Sequence, residues 1–174
     1  MGLLTQEQMQ NGLPKWVSID KETGEFVHNN QQFAGLAGIL LGFGSHTMTY
    51  KDREYKKFDI YIADNGDVYQ LQLGMYSYRT LFLMNFLRSI DKFDNKPILF
   101  NVRKEGENIN LLVKYDNKWL KSKQPYKDLK ITDEKKRDKV IETWYEKFVE
   151  LMPYEPEPTE VEEELDVENK DIPF

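Results

Sequence analysis

The chain has 174 residues, 40% hydrophobic and 13% aromatic, with 24 Lys+Arg, 30 Asp+Glu, two histidines and no cysteine. That length suits one ordinary domain rather than two, and the missing cysteines exclude disulfides, thiol nucleophiles and cysteine-based zinc sites, as expected in a reducing cytoplasm. Charge is uneven: residues 153–174 hold nine acids and one base, a balance of −8, while the other 23 bases and 21 acids leave residues 1–152 at +2.

Met1-Gly2-Leu3-Leu4-Thr5-Gln6 has no basic n-region, no long apolar core and no serine or threonine placed for myristoylation, so neither secretion nor lipid anchoring is expected. The longest apolar stretch, residues 33–43, is interrupted by Gly35, Gly38 and Gly42 and is too short to span a bilayer. The expected location is the cytoplasm.

Residues 16–19 and 25–27 flank Lys21-Glu22-Thr23-Gly24 and predict a hairpin in which Gly24 takes the positive φ. Residues 35–50 predict one long strand whose glycines let it bend and serve two sides of a small barrel. Residues 55–63 and 68–75 alternate around Asp64-Asn65-Gly66-Asp67, where Asn-Gly is a strong hairpin signal. Ser77 caps a predicted helix reaching Ile90, with Leu81, Phe82, Phe86, Leu87 and Ile90 on one apolar face that would plug a barrel end. Residues 98–103 and 109–115 predict a further hairpin across residues 104–108.

A long bent strand, two more strands, a helix and a last hairpin make the order of a five-stranded OB-fold barrel, so the expected fold is mainly β with added helices. A final helix over residues 133–152, with Val140, Ile141, Trp144, Tyr145, Phe148, Leu151 and Met152 on one stripe, completes a domain of residues 1–152. The stripe either packs on the barrel or makes an oligomer contact. Pro153 ends this helix. The acidic, proline-interrupted residues 153–174 bury too little apolar surface to fold alone and are expected to be disordered.

Two kinds of side chain suit a sequence-indifferent binder of single strands: cations tracking phosphates and rings on which bases stack. Alternation turns Phe58, Ile60 and Ile62 inward and Tyr55, Lys57, Asp59 and Tyr61 outward, with Gln70 and Gln72 outward on the next strand and Tyr69 inward. Residues 96–127 carry eight bases against three acids, a balance of +5, and include Trp119 in the loop after the last predicted strand. The candidate set is Lys51, Arg53, Tyr55, Lys57, Tyr61, Arg103, Lys104, Lys114, Trp119 and Lys121.

Catalysis has little support. His28 and His46 lie in different segments without metal-ligand spacing, no phosphate loop occurs, and neither metal nor cofactor is expected. Asp64, Asp67, Asp91 and Asp94 keep a magnesium-dependent nuclease formally open, although turn chemistry explains the first two.

The segment Asp171-Ile172-Pro173-Phe174 follows the acidic run. Ile172 and Phe174 suit an apolar pocket, Pro173 stiffens the chain, and carboxylates suit a basic partner. This ending resembles the acidic C-terminal tip of bacterial single-stranded DNA-binding proteins. Lys170 stands where an acid is usual, and no long Gly/Gln-rich linker precedes it. The resemblance implies a non-enzymatic protein that protects single-stranded DNA in replication, repair or recombination, recruits helicases, nucleases, primase or polymerase subunits through Asp171, Ile172, Pro173 and Phe174, and in this compact form suits a phage. Homo-oligomers are compatible with this reading. The alternative is an OB-fold adaptor that mimics such a tip to capture its clients.

Overall fold

The computed structural model describes residues 13–129 and 131–154 and resolves nine strands and two α-helices among them, besides a short 3-10 helix at Tyr126–Leu129. They are β1 (Lys15–Ile19), β2 (Phe26–His28), β3 (Gln31–Phe33), β4 (Gly35–Tyr50), β5 (Arg53–Asp64), β6 (Asp67–Gly74), α1 (Tyr78–Leu87), β7 (Pro97–Glu105), β8 (Asn108–Tyr115), β9 (Lys118–Trp119) and α2 (Glu134–Leu151). The strands form one open mixed sheet in the order β3-β2-β1-β6-β5-β4-β7-β8-β9, antiparallel throughout except for β1 beside β6. Among the described residues no helix is long and apolar enough to cross a membrane.

The predicted long strand is β4, and it serves two neighbours. Gly35 to Ile39 pair with β7 and Ile39 to Tyr50 with β5, with a register shift between Leu40 and Gly42. Close approach explains Gly42: a Cβ there would lie 2.5 Å from the Met152 carbonyl oxygen and 2.7 Å from Tyr154 Cβ. The chain leaving α2 uses that space, with the Phe43 amide donating to the Met152 carbonyl at 2.9 Å and Pro153 bridging to Phe43.

The hairpin from 64 to 67 turns on Asn65 (φ 50°) and Gly66 (φ 81°), both left-handed as a type I′ turn requires. Three further two-residue turns use the same left-handed pair without glycine: Asn29-Asn30, Lys51-Asp52 and Asp116-Asn117. Two of them create β3 and β9, where the sequence pattern predicts no strand. Trp119 therefore sits on an edge strand rather than in a loop.

The core lies on one face of the sheet. Phe58, Ile60, Ile62, Leu71 and Phe100 have no exposed surface, and each such side chain contributes on the order of 1.5–3 kcal/mol. Phe43 stacks on Phe58 at 5.8 Å and meets Phe148 at 5.1 Å, tying α2 to the sheet.

Ser77 caps α1, accepting from the Thr80 amide at 3.1 Å. The predicted apolar stripe needs correcting. Leu83, Met84 and Asn85 are buried beside Leu81 and Leu87, whereas Phe82, Phe86 and Ile90 are half-buried. The helix contacts both β8 and α2, so more than one side is covered and no single stripe describes it. Asn85 donates to the Gln124 carbonyl at 3.1 Å and accepts from the Gln124 amide at 3.2 Å, strapping the loop after β9 to the helix.

Helix α2 starts at its Asp133 cap, and Ile141, Trp144 and Phe148 are buried as the stripe predicted. Leu151 is the exception at 66% exposed. The predicted boundary at 152 falls on the helix C-cap, Met152. Residues 155–174, and with them Asp171, Ile172, Pro173 and Phe174, lie outside the described residues, as do residues 1–12.

Candidate nucleic-acid interface

Alternation in β5 sets Tyr55, Lys57, Asp59 and Tyr61 on the face opposite Phe58, Ile60 and Ile62, as expected. Across the ladder they oppose Met48, His46, Gly44 and Gly42 of β4, and Asp59 and Tyr61 oppose Gln72 and Gln70 of β6. Orientation and exposure part company here. Tyr61 is 5% exposed and its ring centroid stands 4.7 Å from that of Tyr154, while Gln70 and Gln72 are also buried. Tyr61 as an open stacking platform is thus corrected: the segment after α2 crosses the glycines of β4 and lies against it.

Sequence reading missed a polar group on this face. Asp59, 1% exposed, accepts from or shares a proton with His46 through Oδ2 and Nδ1 at 2.6 Å. Asp59 Oδ1, His46 Nε2 and Gln72 Nε2 are buried with no hydrogen-bond partner. Burial holds the Lys57 ammonium below the usual lysine range, with the Lys21 charge pushing the same way and Asp59 opposing. The signal available in sequence was the spacing of His46 from the turn at 51–52, which sets it opposite Lys57 once that turn is recognised as the centre of a hairpin.

The open part of β5 is its first end. Lys51, Arg53 and Tyr55 are exposed at the hairpin tip, with Tyr55 43% exposed, and the left-handed Lys51 reaches back over the Tyr50 ring at 5.3 Å.

A second group occupies β7 to β9. Phe100, Val102, Leu111 and Val113 take the core face, which leaves Arg103 and Lys114 on the other. Lys114 pairs with Trp119 across the β8–β9 ladder, its ammonium 5.4 Å from the Trp119 ring centroid. Trp119 is 53% exposed, so a ring and a cation are jointly presented. Arg103 stands 3.8 Å from Glu105 in an exposed pair, and Lys121 is exposed just past β9. Lys104 has the opposite parity from Arg103; its ammonium donates to the Glu22 carbonyl and its stem lies against Gly24, tying the turn after β1 to the β7–β8 turn.

The four aspartates considered for magnesium are not gathered. Asp67 pairs with Lys15 at 3.0 Å, Asp64 opposes it across the turn, and Asp94 accepts from the Tyr115 hydroxyl at 3.0 Å. Among the described residues no group of three or more metal-ligating side chains occurs. Set against protein-family models, curated proteins and solved structures, the chain matches none.

Proposed function

We propose that the chain is a sequence-indifferent single-stranded DNA-binding protein, with an OB-type arrangement in β4 to β8 and a recruiting segment at Asp171–Phe174. The fold observation that supports this reading is β4, shared between β5 and β7, with α1 inserted between the β5–β6 and β7–β8 hairpins, an order that an OB barrel also requires. It departs from a closed barrel at one seam, because among the described residues β6 pairs with β5 and β1, and β8 with β7 and β9.

The observation that carries the binding chemistry is Trp119, exposed beside Lys114 and followed by Lys121. Bases stacked on such a ring gain about 1–3 kcal/mol each, and cations beside it neutralise phosphates without reading sequence. Lys51, Arg53 and Tyr55 supply a like combination at the β4–β5 tip. The acidic residues 153–174 would compete for these cations at the high effective concentration that tethering provides, so bound DNA frees the segment to recruit replication or repair enzymes.

Burial of Tyr61, Gln70 and Gln72 favours the second reading, an adaptor whose sheet does not bind strands at all. Titration of labelled oligo(dT) by fluorescence anisotropy separates the two. The DNA-binding reading expects submicromolar affinity that falls with salt at a slope of roughly −0.7 per phosphate contacted. No binding at low salt after removal of residues 155–174 would leave the adaptor.

A further inference from the structure

Between the end of α1 and the last turns of α2 lies a cavity of about 200 Å³ that plays no part in the interface above. Leu87, Ile90, Phe93 and Phe148 give it apolar walls, and Leu151, the exposed leucine of α2, stands at its mouth. Three cations, Arg88, Lys123 and Lys147, complete the lining, and no carboxylate is among the lining residues.

Arg88 is the unusual member. Its guanidinium lies over the Trp144 ring at 4.1 Å, and its Nη1 is buried without a hydrogen-bond partner. Leaving such a donor unsatisfied is unfavourable, and a guanidinium fork is shaped to receive a carboxylate. Apolar walls, a spare guanidinium donor and two further cations together call for a ligand that joins a carboxylate to apolar side chains.

The chain carries such a ligand. Residues 155–174 have a balance of −8, and Asp171 directly precedes Ile172, Pro173 and Phe174. The described chain also ends within reach of the cavity: Leu151 lines it, and Pro153 bridges to Phe43, whose ring meets the wall residues Phe93 at 6.0 Å and Phe148 at 5.1 Å, before Tyr154 packs on Tyr61. At about 3.3–3.6 Å per extended residue, the intervening chain reaches well beyond the roughly 15 Å radius of a domain this size.

We propose that the cavity is a docking site for the chain's own Asp171–Phe174 segment, with an apolar side chain between Ile90, Phe93 and Phe148 and the Asp171 carboxylate on Arg88. Docked in cis, the segment is withheld from outside partners. This goes beyond the DNA-binding reading and does not depend on it, since none of the candidate DNA contacts lines the cavity.

A labelled peptide of residues 164–174, titrated by anisotropy against full-length chains, tests it. The chain carrying Ile172→Ala and Phe174→Ala is expected to bind the peptide saturably, and the unaltered chain at least tenfold more weakly because its own segment competes. Adding Lys147→Glu or Leu151→Glu, both exposed positions that leave the core intact, is expected to weaken peptide binding at least tenfold; Arg88→Gln does the same if it folds. Equal binding by altered and unaltered chains, indifference to the Lys147 and Leu151 changes, or no binding at all would overturn the proposal. So would concentration-dependent self-association of the unaltered chain that Phe174→Ala abolishes, because the occupant would then be a second copy. Oligo(dT) titrations of the Lys147 and Leu151 variants, expected to match the unaltered chain, keep this outcome separate from that of the DNA-binding reading.

Discussion

The non-core faces of β5 and of β8–β9 begin from the same alternation of apolar and polar residues and end as different surfaces. On β5, His46 and Asp59 lock together and Tyr154 lies on Tyr61, so Asp59 and Tyr61, which alternation turned away from the core, are buried a second time, and on that face only the first end of the strand, at Tyr55, is left exposed. On β8–β9 nothing of the kind happens: Trp119 stays open at 53% exposed, with the half-buried Lys114 beside it. A strand's period says which side a residue faces. Whether that side meets solvent depends on segments that arrive from elsewhere in the chain.

The strongest attempt to break this contrast is His46→Ala. It leaves the Asp59 carboxylate buried without a partner, for which a loss of about 3–5 kcal/mol is expected in urea unfolding. A change below ~1 kcal/mol would mean that this face is wetter than its burial indicates. Next comes a paired test at the two aromatics. Tyr61→Ala is expected to lower stability by about 3 kcal/mol through the hole it leaves, with oligo(dT) affinity per folded molecule unchanged. Trp119→Ala is expected to leave stability within about 0.5 kcal/mol and lower oligo(dT) affinity by about 1–3 kcal/mol. Reversal of either half would exchange the roles of the two faces.

The smallest effect sharpens the comparison on the core side, where α2 is pinned to the sheet's end. The Tyr76 hydroxyl donates to Glu142 at 2.7 Å, and that bond, helped by burial, pushes the phenol up to about 12. With the folded value above the unfolded value near 10, the folded state holds its proton longer, so this contribution is full below pH 10 and is lost as pH rises towards 12. Because the pair is exposed, Tyr76→Phe is expected to change stability by less than about 1 kcal/mol at pH 7 and to flatten the fall between pH 10 and 12, read from thermal melts.

Much of the architecture was legible in sequence. Asn65-Gly66 placed one hairpin, the glycines from Gly35 to Gly42 marked the strand that serves two neighbours, and Ser77 and Asp133 marked both helix starts. Other turns were missed because Asn29-Asn30 and Asp116-Asn117 take left-handed backbone without glycine, the residue that usually announces it. The stripe on α1 misled for a different reason: a helix covered by β8 and by α2 shows no single apolar face. In the candidate site, Lys51, Arg53, Tyr55, Arg103, Lys114, Trp119 and Lys121 are at least partly open to solvent, whereas Tyr61 is not and Lys104 is engaged with the turn at Glu22–Gly24.

By itself, then, the sequence determined the local properties: the strand periods, the Asn-Gly turn, the helix caps and the separation of an acidic 153–174 from a slightly basic remainder. These depend on neighbours within a few residues. Only the tertiary structure decided that β1 rather than β8 borders β6, that His46 meets Asp59, that Tyr154 closes over Tyr61, and that Arg88, with a buried donor, lines the cavity between the helices. Each of those contacts joins residues distant in the chain. The burial free energy that favours it exists only once the sheet has brought them together.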